Sequence, residues 1–183
     1  MEQKAFAVTD KGNKFSIPVV MGIIIAIVKI ILSAIQYKYF LESYKASMVL
    51  FISSLLIGAI LLFLTGRMQK KKFGNTITIK QAFQAIFIAI LIVVVSNFIF
   101  DQVYMKLDPG MSERIYHGKV ALAKTTPNSA QKIKELTEEY QEELKHPVSI
   151  GNMLAGLLNS IIKYSILGII FALALGRNKP TTA

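Results

Sequence analysis

The chain of 183 residues contains no cysteine. A disulfide framework, a thiol nucleophile and any cysteine-ligated metal centre are therefore excluded. Charge is also scarce. Charged residues make up 17% of the chain against 53% hydrophobic, where a soluble domain carries about a quarter. There is no glycine-rich phosphate loop, no His-Glu-x-x-His pattern and no Ser/His/Asp set at a suggestive spacing. Histidine is limited to His117 and His146, with no third ligand beside them. The expectation is no metal, no cofactor and no catalytic residue, which points away from an enzyme. No lipidation motif is present. The first apolar run follows Lys4, Lys11 and Lys14. It is too long for a signal-peptide core and has no small-residue cleavage site, so it reads as a retained span.

What is present comes in blocks. Gln81 to Phe100 is uncharged and bracketed by Lys80 and Asp101. Its about 20 residues cover about 30 Å as a helix, the thickness of a bilayer hydrocarbon core. Three similar runs flank it. The expectation is an all-α, integral membrane four-helix bundle in one membrane domain over 1–183. Its spans are expected near 15–37, 46–66, 81–104 and 148–176, with a helical extracytoplasmic segment, 106–147, between the third and fourth. Pro18 suits a first helical turn, Ser149 can cap the last span, and Gly66 with the basic residues after it is expected to end the second. Met1 to Lys14 reads as a polar surface segment.

Each span carries a small or polar face. Gly22, Ala26, Lys29, Ser33 and Gln36 share one in the first span, and Ser47, Ser54, Gly58 and Thr65 one in the second. Asn97, Asp101 and Tyr104 share one in the third. In the fourth, Asn152, Gly156, Asn159 and Lys163 share a face, and Gly168, Ala172 and Gly176 repeat at the spacing of a small-xxx-small packing surface. Tyr37, Tyr39, Phe40 and Tyr44, around the first connection, suit an aromatic belt at the interface.

Within 106–147, Asp108-Pro109-Gly110 signals a turn. A short helix is expected over 111–123. Thr126-Pro127 reads as the cap of a second helix, over 129–145, ended by Pro147. Ile133, Leu136, Tyr140 and Leu144 form a narrow apolar stripe on it, free to dock on the span ends or on a partner. Glu138, Glu139, Glu142 and Glu143 read as its solvated face.

The formal charge is +10. Its placement beside spans indicates topology and attraction to anionic lipid rather than nucleic acid. Four spans put both termini on one side. With the loop that carries Arg67, Lys70, Lys71, Lys72 and Lys80, that side holds an excess of about eight positive charges, so the termini are expected in the cytoplasm and the 106–147 segment outside.

NTITIKQAF before the third span and NFIFDQVYMKLDP at its exit resemble an uncharacterised membrane family, domain of unknown function 4199, typical of Bacteroidota. Ile77, Thr78, Ala82, Phe83, Tyr104, Asp108 and Pro109 fit its pattern, and Ile79 stands where an aromatic is more usual. The resemblance covers almost the whole chain. It implies a multi-pass protein of the bacterial inner membrane, and no catalytic residue comes with it.

Two functions stay open. The first is a non-enzymatic accessory or scaffold subunit of a membrane complex, with lipids and a protein partner or a second copy as neighbours. The second is a binder or transporter of an anionic lipid or polyprenyl-phosphate. There Lys29 and Lys163, at similar depth, would line one polar pocket with Ser33, Asn159 and Ser160, and Asp101 would be a possible ion-pair partner. The plainer alternative is that both lysines snorkel to headgroups and water.

Overall fold

The computed structural model describes residues 16–145 and 149–176. They form six helices: α1 Ser16–Tyr39, α2 Tyr44–Lys72, α3 Ile79–Leu107, α4 Met111–Ala123, α5 Ser129–Lys145 and α6 Ile150–Leu175. No strand occurs among the described residues. The expectations placed on Met1 to Lys14, His146, Pro147 and the tail beyond Gly176 lie outside them.

α1, α2, α3 and α6 are long and apolar enough to cross a membrane, and they bundle around α3. Its Ala82, Ala85, Ile86, Ala89, Ile90, Val93 and Val94 are buried, recurring at the helical period. The alanines let neighbouring backbones come close. A Cβ on Gly22 of α1 would lie 3.1 Å from the Ala89 Cα, and one on Gly168 of α6 3.1 Å from Ile90 Cδ1. On α1 and α2 the expected small faces turn inward, Gly22 and Ala26 on α1, Ser54, Gly58 and Thr65 on α2, whereas Asn152, Gly156, Asn159 and Lys163 on α6 are exposed. Opposite faces expose Ile23, Ile27 and Ile31, Leu56 and Ile60, Leu158 and Ile162. Such a surface needs lipid around it.

α6 stays within its expected bounds, whereas α1, α2 and α3 run past the expected span ends, and α2 does so for a reason. Gly66 does not stop it. A Cβ there would meet Leu175 Cδ1 at 2.6 Å and Ile86 at 3.0 Å, so the glycine serves close packing. α2 ends after Lys72, where Gly74 and Asn75 take φ of 69° and 65°, a conformation these two residues tolerate best. α3 then opens on a capping box. The Thr78 hydroxyl accepts from the Gln81 N–H at 3.3 Å and Gln81 Oε1 accepts from the Thr78 N–H at 3.1 Å. Ser149 caps α6, accepting from the Asn152 N–H at 3.2 Å.

The two ends of the bundle differ. At the basic end, Lys70 Nζ donates to the Leu175 carbonyl at 2.9 Å. It satisfies an orphan acceptor where the α6 dipole favours a cation. Lys72 Nζ donates to Ser16 Oγ at 3.3 Å. The basic cluster thus ties three helix ends together. The other end carries α4 and α5, within the predicted bounds. α4 sits on the α1–α2 connection through Gly118, where a Cβ would be 2.6 Å from the Leu41 carbonyl oxygen. An Arg114–Asp108 ion pair closes the turn before α4, and this hydrogen bond pushes the guanidinium pKa further up. The α5 stripe docks on α4. Tyr140 stacks on Tyr116 with centroids 4.6 Å apart, and the hydroxyls of Tyr116 and Thr137 are 3.0 Å apart. Leu144 stays exposed. Thr126 does not cap α5. Its hydroxyl donates back to the Ala123 carbonyl at 2.9 Å, and Asn128, at φ 60°, makes the turn.

Candidate functional site

The half of the bundle nearer α4 holds a half-open cavity of about 490 Å³. It exists because α6 packs unevenly. Near the basic end Gly168, Ala172 and Leu175 are buried, whereas Leu154, Gly156, Leu158 and Asn159 are exposed. A Cβ on Gly156 would meet nothing within 4 Å. The gap is lined by short or polar side chains one turn apart: Lys29, Ser33 and Gln36 from α1, Asn97 and Asp101 from α3, Gly156, Ser160 and Tyr164 from α6. α2 closes it with Phe51 and Ser54.

Lys29 lies near the middle of α1, at membrane depth. Its ammonium donates to the Tyr164 hydroxyl at 2.8 Å. The ring centroid is 5.1 Å away. Together these distances put the ammonium beyond the hydroxyl edge rather than over the ring face, so the contact is a hydrogen bond and not a cation–π interaction. Nearer α4, the Tyr37 hydroxyl donates to Asp101 Oδ1 at 2.9 Å. The Tyr37 ring is held by Phe100, stacked at 6.2 Å, and Tyr104 at 5.1 Å. Gln36 Nε2 donates to Ser47 Oγ at 2.7 Å and ties α1 to α2. Asn97 Nδ2 donates to the Val93 carbonyl at 2.8 Å.

The structure brings Lys29, Ser33, Ser160 and Asp101 to one cavity. It leaves Asn159 and Lys163 out. Both are exposed, on the side of α6 away from α3, so the pocket with two lysines does not form in this arrangement. The cause is helical geometry. Each residue turns the helix by about 100°, and the residue directed inward is Tyr164, next to Lys163. Asp101 is not in ion-pair contact with either lysine. Its partner is Tyr37. Tyr37 thus packs into the bundle against Phe100 and Tyr104, whereas Tyr39 is exposed at the helix end. Sequence reasoning missed Tyr164, yet the signal was there. The four-residue repeat Gly168, Ala172, Gly176 extends backwards through Tyr164, Ser160, Gly156 and Asn152, a single i±4 ridge.

Among the described residues no group of three or more His, Asp or Glu side chains gathers as a metal centre would need. His117 pairs with Glu113 at 3.6 Å on the exposed face of α4.

Fold and cavity together define a multi-pass helical membrane protein with a polar chamber between its spans. The model of one family, described as a protein of unknown function (DUF4199), matches residues 19–177, and the chain belongs to that family. No curated protein and no solved structure matches it.

Proposed function

We propose that the chain is a non-enzymatic subunit of a membrane complex, held in the bacterial cytoplasmic membrane with its basic end in the cytoplasm and α4–α5 outside. The observation that carries the assembly reading is the outer face of α6, where Asn159 and Lys163 are exposed and take no part in the cavity. Lys163 lies near mid-helix and has no hydrogen bond or ion pair to any described residue. A lysine at that depth costs about 2.5–3.5 kcal/mol on insertion scales. Lipid tails offer nothing to offset this, whereas a neighbouring helix with a carboxylate does. A twofold pair of these chains would set the same patch against itself and bring two Lys163 ammonium groups together, so a different protein with an acidic residue in its span fits better. The excess of basic residues at one end of the bundle supports the orientation.

A photoreactive amino acid at Asn159 in intact membranes tests the assembly. The expected adduct is a second membrane protein with a carboxylate in a span, absent when the probe is at Leu56 on the exposed face of α2. Lys163→Glu should abolish the adduct, and a lysine in place of that carboxylate should restore it. Adducts to lipid alone, or to a second copy of the chain, would overturn the reading. Orientation is read separately. The chain has no cysteine of its own, so Ser129→Cys and Lys71→Cys report without background. A membrane-impermeant thiol reagent on intact cells should label the first only, and the reverse pattern would refute the orientation.

A further inference from the structure

We infer that the chamber between α1, α3 and α6 binds a zwitterion, its anionic group on Lys29 and its ammonium on Asp101. Two opposite charges face one cavity of about 490 Å³ and are not paired with each other. Tyrosine hydroxyls hold them apart, Tyr164 on Lys29 and Tyr37 on Asp101. Eight residues of α1 separate Lys29 from Tyr37, which is about 12 Å along the helix axis. In a medium of low dielectric, opposite charges left unpaired forgo a large attraction. A closed salt bridge would neutralise both, and Lys29 does not form one with Asp101. It turns to Tyr164 instead. What the geometry accommodates is a molecule that completes both pairs at once. A phosphoethanolamine group carries both charges on one short linker, with phosphate towards Lys29 and ammonium towards Asp101. An anion alone does not fit, because Asp101 would repel it.

Such a group comes either on a phospholipid or as a free solute. Phe51, Met153 and Leu157 give the cavity an apolar side, and α6 is exposed beside it. Both features suit a ligand that enters from the bilayer with its acyl chains outside.

The test uses the full-length protein in nanodiscs of phosphatidylcholine doped with one lipid at a time, read by native mass spectrometry of retained lipid. Phosphatidylethanolamine should be retained at least tenfold more than phosphatidylglycerol. Lys29→Met and Asp101→Asn should each remove that preference, and Lys163→Met should keep it, which separates this site from the assembly face. Gly156→Phe fills the chamber from a position where a Cβ meets nothing. It should abolish retention in a protein that still folds, and it stands in should Lys29→Met fail to do so. Competition by glycerophosphoethanolamine as well as the intact lipid would assign the site to the free solute, with the same two residues. Equal or greater retention of phosphatidylglycerol, a preference that survives Asp101→Asn, or no retention of either lipid together with no binding of glycerophosphoethanolamine would overturn the inference.

Discussion

The two halves of α6 behave as if they belonged to different proteins. Towards the basic end the helix is locked. A Cβ on Gly176 would lie 2.6 Å from the Ile79 backbone, Ala172 is fully buried, and Lys70 bonds the last turn. Towards α4 the same helix stands off from the bundle, exposes Asn159 and leaves a chamber beside Gly156. Both halves carry small residues on the same four-residue ridge, so small residues alone do not decide close packing. A partner surface does: the basic end meets Ile79, Ile86 and Ile90 at close range, whereas towards α4 Leu157, Ile161 and Tyr164 are only partly buried against the core. Membrane helices associate through such packing and through hydrogen bonds, with no hydrophobic driving force between them. Where packing ends, polar contacts take over. In this chain they are Lys29 to Tyr164 and Tyr37 to Asp101.

The sharpest way to break that contrast is to put one bulky side chain into each half. Gly168→Leu should lower stability in detergent by about 1–3 kcal/mol through overpacking. Gly156→Leu should be neutral, or slightly stabilising because glycine is a poor helix former. Thermal unfolding followed by circular dichroism reads both, and equal losses would mean that the two halves pack alike. Next in size are the tyrosine hydroxyls. Tyr164→Phe and Tyr37→Phe each remove one intramembrane hydrogen bond, worth about 0.6 kcal/mol on average and at most about 1.7. If the two bonds are independent, the losses should add in the double variant. The smallest expected effect is at Lys163. Lys163→Met should change the stability of the isolated protein by under about 0.5 kcal/mol, as an exposed position does. A larger loss would place its side chain inside the bundle.

Much of the architecture is legible from local pattern. The bounds of α4 and α5 follow from the turn before Met111 and from Thr126–Asn128, where chain direction must change. The inward faces of α1 and α2 follow from Gly22 with Ala26, and from Ser54, Gly58 and Thr65. The capping box at Thr78 and Gln81 was equally available in the sequence, as a Thr-x-x-Gln pattern. Gly66 was misleading, because a glycine beside a basic run marks a helix end and a close helix contact alike. Only the neighbour distinguishes the two, and that neighbour is Leu175, more than a hundred positions away.

The sequence by itself determined the number of spans, their approximate ends and the concentration of positive charge at one end. Bilayer thickness, helical rise and charge placement are local quantities, readable along one segment at a time. Tertiary structure alone decided which residue of α6 points inward. Lys163 and Tyr164 are adjacent and differ by about 100° around the helix. Which of them meets Lys29 depends on how α6 crosses α3. That crossing is set by Gly168 and Ala172 against Ile86 and Ile90, a contact between segments far apart in the chain, so no window along the sequence contains it.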